Sequence, residues 1–160
     1  MNSKIKIDKL DPNDKVSICR IADWYFKEWD TPIEKTIKRL SNQSKDDIIF
    51  QAILTIDDEL IATGGLCINV NIYNQYPELK AFKPWIGLLY TRVEFRNRGF
   101  GQRLLEFIEQ RAKDIDLNKI YLYTFTAQSF YERNGWTVMK SVEYKDHNTY
   151  VMEKEITPLL

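Results

Sequence analysis

Histidine occurs once in this chain and cysteine twice. The wide spacing of Cys19 and Cys67 fits neither a zinc motif nor a thioredoxin-like pair, so both are expected to be buried free thiols, and no metal site is expected. His147 falls in the polar segment Lys145-Asp146-His147-Asn148 and reads as a solvated turn residue. Net charge is also missing, with 23 basic residues against 23 acidic ones. That balance removes the broad electrostatic footprint that nucleic acid or an anionic membrane would require. No stretch approaches the ~18 apolar residues of a membrane span, and the N-terminus lacks the apolar core of a signal peptide. A soluble, cytoplasmic protein is expected. Nor is there an internal repeat, a low-complexity tract or a linker, and 160 residues make one domain, 1–160, with one continuous core.

Aromatic residues, by contrast, are plentiful: 4 Trp, 9 Tyr and 8 Phe, enough to wall a pocket as well as fill a core. Ile5 to Ile7 alternates with lysine as a short strand. Turn residues Asp11 to Asp14 then precede a helix whose apolar face takes in Val16, Ile18, Ile21, Ala22, Tyr25, Phe26 and Trp29. Thr31-Pro32 restarts a second helix, capped by Asp30 or Thr31 with proline at its first position, with Ile33, Ile37 and Leu40 inward. Strands are expected over Ile48–Ile56 and Leu60–Val70 as a hairpin, then over Trp85–Thr91, whose apolar run implies burial on both faces. A long amphipathic helix follows with Phe100, Leu104, Phe107, Ile108, Ala112 and Ile115 on one side and Arg111 at its edge. Lys119–Tyr123 is a strand and Gln128–Arg133 a short helix. Trp136–Tyr144 and Tyr150–Ile156 close the chain as a hairpin. The order is β-α-α-β-β-β-α-β-α-β-β, an α/β fold with one mixed sheet.

The segment Arg96-Asn97-Arg98-Gly99-Phe100-Gly101-Gln102 sits between a buried strand and the start of the amphipathic helix. Free N–H groups at a helix start and the helix dipole favour an anion there. Glycine allows close approach and positive φ, and Arg96 and Arg98 add charge. Downstream, Thr124 to Trp136 (TFTAQSFYERNGW) takes a strand end into a short helix carrying Phe130-Tyr131, stopped by Asn134-Gly135. RNRGFG followed by AQSFYERNGW resembles motifs A and B of the GNAT acetyltransferase superfamily, and PWIGLLYTRVEF resembles the strand that feeds its pyrophosphate loop. With the matching element order, the resemblance covers nearly the whole chain. Thr91 and Val93 stand where the family often has Val and Pro, and Thr124 where it often has Asn.

The resemblance implies a GNAT fold: a mixed, mostly antiparallel sheet of about seven strands, splayed near its centre and flanked by about four helices. It implies transfer of an acetyl group from acetyl-CoA, a co-substrate, to a primary amine by direct attack, without a metal. The amides of Arg98, Gly99, Gly101 and Gln102 would hold the pyrophosphate, with Arg96, Asn97 and Phe100 in the same loop. The main chain of Leu89, Tyr90 and Thr91 would pair with pantetheine, an N–H near Tyr90 or Thr91 would face the developing oxyanion, and Thr124 and Ser129 would contact the cofactor. Tyr131 matches the family's proton donor to the leaving thiolate. Deprotonating a lysine-like amine at pH 7 costs roughly 4–5 kcal/mol against about 1 for an α-amine, so a general base is of value; Glu28 and Glu94 are candidates. Trp24, Tyr25, Trp29, Tyr73, Tyr76 and Trp85 would form the acceptor side. The acceptor itself, a small molecule or a peptide, is left open, and the closing strands offer an edge for a homodimer. Two other readings are a non-catalytic CoA-binding sensor of the same fold and a nucleotide-binding domain. The latter is disfavoured because no GKS or GKT follows the glycines.

Overall fold

A computed structural model describes residues 3–156, so the ends of the expected 1–160 domain lie outside the described residues. Seven strands form one sheet in the order β1-β2-β3-β4-β5-β7-β6: β1 Ile5–Lys9, β2 Ile48–Ile56, β3 Glu59–Cys67, β4 Trp85–Thr91, β5 Lys119–Thr124, β6 Thr137–Tyr144 and β7 His147–Glu155. Every neighbouring pair is antiparallel except β4 and β5. Those two parallel strands meet only at Trp85↔Tyr121, so the sheet opens beyond that point. The GNAT-type splayed sheet is therefore present, flanked by four helices: α1 Lys15–Trp29, α2 Ile33–Asn42, α3 Phe100–Asp114 and α4 Gln128–Arg133.

The helices divide between the two faces. Leu104, Leu105, Ile108 and Ala112 of α3 pack with Leu54, Leu66, Ile86, Ile120 and Met152 of the sheet, joined by Trp136 and the half-buried Tyr131. On the other face, Ile18, Ile21 and Tyr25 of α1 and Leu40 of α2 meet Ile48, Leu60 and Cys67. The same face continues under the β3–β4 connection, where Ile72, Tyr73 and Leu79 pack on Trp85, Tyr121 and Val151. Each fully buried Leu or Ile stabilises such a core by about 1.5–3 kcal/mol.

Several sequence expectations need correction. The inward face of α1 is the narrower set Ile18, Ile21, Ala22 and Tyr25, the i, i+3, i+4, i+7 stripe of one helix face. Val16 points away from the sheet, Phe26 lies at the stripe's edge, and Trp29 sits at the helix end; all three are exposed. Asp30 adopts the left-handed conformation that ends α1, and the cap position of α2 is held by Pro32 without a side-chain cap. Ile33, expected inward, is exposed. Strand β3 stops at Cys67, short of Val70. Only Trp85 and Ile86 of β4 are buried, because β5 diverges and leaves the rest of the strand half covered. Ile115 is exposed just past the end of α3. The closing hairpin turns on Lys145-Asp146, both at positive φ, as a two-residue turn between twisted strands requires. His147 therefore begins β7 and stacks on Phe125, with ring centroids 4.1 Å apart.

The cysteines also part company. Cys67 is buried, as expected, and burial pushes its thiol up to about 12, whereas Cys19 is exposed on α1. A native titration with an aromatic disulfide reagent near pH 8 should therefore modify Cys19 rapidly, and Cys67 only after a denaturant is added. Two fast thiols in the native protein would contradict this packing.

Candidate active site

The opening between β4 and β5 begins with a backbone irregularity. Thr63 pairs with Tyr90 and Gly65 with Gly87, so Gly64 faces two residues, Leu88 and Leu89. Leu88 takes φ 61°, the bulge conformation in which one strand gains a residue and bends. Space for the bulge comes from the opposite strand. A Cβ on Gly64 would lie 2.4 Å from the Leu89 side chain, and one on Gly65 would lie 2.5 Å from Gln51 Oε1.

A buried polar chain fixes the bulge from the α1 face. The Tyr25 hydroxyl donates to the Leu88 carbonyl. Gln51 Nε2 donates to the Tyr25 oxygen at 3.1 Å and to Thr63 Oγ1 at 2.8 Å, and Thr63 donates in turn to the Ala52 carbonyl. Tyr25, Gln51 and Thr63 are all essentially inaccessible, and burial raises the Tyr25 pKa far above the ordinary phenol value. Tyr25 was expected to line an acceptor pocket; it holds the bulge instead. Trp85 and Tyr73 are buried too, the indole N–H donating to the Tyr73 hydroxyl and the Phe82 carbonyl. Tyr76 donates to the Glu143 carbonyl and ties the β3–β4 connection to β6.

Past the bulge, β4 runs into the loop before α3. Asn97 and Gly99 have positive φ, 64° and 83°, which turns the chain so that α3 starts at Phe100. No side chain caps this helix. Arg103 N–H bonds the Gly99 carbonyl, while the amides of Phe100, Gly101 and Gln102 precede the first intrahelical bond and have no helical partner. A Cβ on Gly99 would meet nothing within 4 Å, so the space before these amides is open. Arg98 makes no ion pair among the described residues and stands over the Phe95 ring. Uncapped amides, a positive dipole end and a free guanidinium together suit a polyanion.

Arg96 turns the other way. Its Nε donates to the Thr91 carbonyl at 2.8 Å, its guanidinium covers the Tyr90 ring, and it reaches to 3.9 Å from Glu28. Tyr90 stacks on Trp24 at 5.1 Å and meets the edge of Trp29. Glu28, Trp24, Trp29, Tyr90 and Arg96 thus converge on the α1 side of β4. Glu94 is held apart from them by Arg92, which also binds Glu59, each contact at 2.6 Å.

Across the opening, Tyr131 packs against Phe130 and Trp136. Burial alone pushes its pKa up to about 12. Thr124 Oγ1 accepts from the N–H groups of Ala127 and Thr126 at 3.1 and 3.4 Å, closing the turn before α4, and Ser129 is exposed. Sequence reasoning missed Gln51 and Thr63 altogether. The one available signal was a glutamine inside an otherwise apolar strand opposite a Gly-Gly pair. Among the described residues no His, Cys, Asp and Glu group could hold a metal ion, and no helix is long and apolar enough to cross a membrane.

Comparison with known proteins places this geometry. The acetyltransferase (GNAT) family model matches residues 16–136. An amino-acid acetyltransferase of Mannheimia succiniciproducens is 25% identical over 124 residues, which cover 75% of this chain and 26% of that protein. The matched region thus spans about a quarter of the relative's length. An aminoglycoside 6'-N-acetyltransferase crystallised with coenzyme A superposes with TM-score 0.77 at 16% identity, covering 97% of this chain and 99% of its own. The ribosomal-protein-S18-alanine N-acetyltransferase of Escherichia coli superposes with TM-score 0.70 at 15% identity, covering 98% and 97%. Identities this low speak to the fold.

The polar chain behind the bulge yields a specific expectation. Tyr25→Phe removes the donor to Leu88 and leaves a buried carbonyl unpaired, so unfolding free energy should fall by about 1–3 kcal/mol. Urea denaturation measures this directly. A loss under about 0.5 kcal/mol, within the range of neutral surface changes, would mean that the hydroxyl does not hold the bulge.

Proposed function

The chain belongs to the GNAT family of acetyltransferases, and from that premise we propose that it moves the acetyl group of acetyl-CoA onto a primary amine by direct attack. The observation that carries this reading is the uncapped start of α3, open in front of Gly99, at the end of a strand that has parted from its neighbour. The amides of Arg98, Gly99, Gly101 and Gln102, with Asn97 and Phe100 shaping the loop, hold the pyrophosphate. Leu89 to Thr91 offer main-chain groups to the pantetheine arm as an added strand would. Acetyl-CoA supplies the activated acyl carbon; the protein supplies position, a donor to the carbonyl oxygen and a donor to the sulfur.

The first donor is a β4 amide near Tyr90 or Thr91, held rigid by the bulge. A preorganised donor of this type lowers the barrier by about 3–4 kcal/mol. Tyr131 is the second. With its pKa near 12 and a thiol's near ~8.5, full proton transfer is uphill by roughly 3–4 units. The hydroxyl therefore stabilises the leaving thiolate by a charge-assisted hydrogen bond and keeps its own proton, while the proton lost by the acetylated nitrogen passes to a base or to water. Thr124 and Ser129 line the same side.

The amine approaches from the α1 face, between Trp24, Trp29 and Tyr90. Glu28, beside Arg96, is the better placed base, because Glu94 is committed to Arg92. A neutral amine is the attacking species, so kcat/KM rises with pH until the acceptor is deprotonated. Burial favours the neutral phenol, so Tyr131 stays protonated, and a donor, at every pH below about 12. The profile should have no falling limb between pH 8 and 10 from this residue.

Calorimetric titration of acetyl-CoA tests the anchoring. Wild type should bind, and Gly99→Glu, which sets bulk and negative charge before the α3 amides, should not; equal affinities would overturn the placement. Tyr131→Phe should lower kcat by about 10- to 100-fold, the worth of one hydrogen bond to a charged group, with acetyl-CoA affinity unchanged. Unchanged turnover would remove Tyr131 from the mechanism.

A further inference from the structure

A second concavity lies away from the β4–β5 opening, between α2 and the connection from β3 to β4. It encloses about 590 Å³. From α2 come Lys35, Lys38, Arg39 and Asn42, at i, i+3, i+4 and i+7, one continuous face of the helix. Lys80 comes from the facing segment, along with Asn69, Asn71 and Asn74; the Asn69 side-chain amide already donates to the Asp46 carbonyl at 3.3 Å. The single acid in the lining is Asp47, and it is already committed. It accepts from Arg39 Nε and Nη2, both at 2.8 Å, while Nη2 also donates to the Asn69 carbonyl at 2.7 Å.

That arrangement fixes the floor of the cleft and leaves three cations over. Lys35, Lys38 and Lys80 form no ion pair among the described residues, and all three are exposed. Like charges one helical turn apart repel, and a chain with no net charge gathers here four cations against one carboxylate in an otherwise neutral lining. The other polar lining atoms include amide groups that can donate. A concave wall of unpaired ammonium groups and amides is the chemistry that receives carboxylate or phosphate oxygens.

We propose that this cleft is an anion site, taking a ligand with two or more phosphate or carboxylate groups, separate from the α3 loop. Separation follows from the register. Asn69 and Val70 follow Cys67, the residue that pairs with Trp85, while Tyr90 pairs with Thr63. The four residue-to-residue steps from Thr63 to Cys67 span about 13 Å of strand, so the cleft lies roughly that far along the sheet from the end of β4 that enters the loop. The anion is either a free small molecule or the acidic part of an elongated acceptor whose amine reaches β4.

Inorganic pyrophosphate and citrate, titrated by calorimetry at constant ionic strength into protein saturated with CoA, test the site. Saturable binding of one anion per chain is expected, weakened by at least about tenfold in the exposed triple variant Lys35→Ser/Lys38→Ser/Lys80→Ser. Thermal melting should show that this variant folds as wild type does. Non-saturating heats of equal size in both proteins would reduce the effect to general salt screening and overturn the proposal. Absence of binding to the CoA-saturated protein overturns the proposal too, and binding to CoA-free protein that the triple variant retains would then assign the anion to the α3 loop. This readout does not depend on acetyl transfer, so it survives or fails apart from the catalytic reading. A second arm identifies the source. A KM lowered for amines bearing an acid group, and restored by the triple substitution, makes the anion part of the acceptor; a KM indifferent to that group makes it a free ligand.

Discussion

One buried hydrogen bond, from the Tyr25 hydroxyl to the Leu88 carbonyl, couples the first helix to the bulge in the β3–β4 ladder. Without an extra residue in β4, the strand would be expected to continue its pairing and the slot beside it would narrow. An extra residue leaves a carbonyl turned out of the ladder, and a buried carbonyl without a partner is costly. Tyr25 supplies the partner, Gln51 holds Tyr25 and is itself held by Thr63, Gly64 clears the space opposite the bulge, and Gly65 makes room for the Gln51 amide. Five residues on three elements thus maintain one local distortion. Such cooperation between local irregularity and distant support is what a functional site built into a sheet demands.

A second departure from the most stable arrangement lies one loop further on. An Asp or Ser capping α3 in the usual extended conformation would satisfy a free amide and stabilise the helix by a few tenths of a kcal/mol over glycine. Gly99 is there instead, at positive φ and facing open space. The amides are left without a side-chain cap, as the proposed pyrophosphate site requires, and Arg98 forms no ion pair among the described residues. The stability forgone at this end is recovered along the helix, where Leu104, Leu105, Ile108 and Ala112 are completely buried.

The parts of this design differ in how visibly they are written. The loop RNRGFG and the segment AQSFYERNGW are contiguous, so the α3 start and the place of Tyr131 in the short helix after β5 could be read directly, as could the order of elements along the chain. Tyr25 could not be distinguished from a pocket aromatic, because its role depends on a carbonyl 63 residues away. Neither could the bulge, which is set by the offset of Gly65↔Gly87 from Thr63↔Tyr90 and leaves no periodic trace. Helix α1 read too wide because Val16, Phe26 and Trp29 are apolar yet stay exposed, Trp29 touching only Tyr25 and the Tyr90 ring among the aromatic side chains. Strand β4 read as fully buried because an apolar run carries no mark of a neighbour that diverges. The division of labour between Glu28 and Glu94 rests on Arg92 and Arg96, whose partners are set by tertiary contact.

The central claim is that acetyl-CoA lies in the β4–β5 opening with its pyrophosphate on the start of α3. Backbone amide chemical-shift mapping during a CoA titration tests it most directly. The account predicts the largest shifts at residues 98–102, with a second set along Leu89 to Thr91 and little change at Lys35, Lys38 and Lys80. Perturbation centred on the α2 cleft, with the amides of Gly99, Gly101 and Gln102 unmoved, would contradict it.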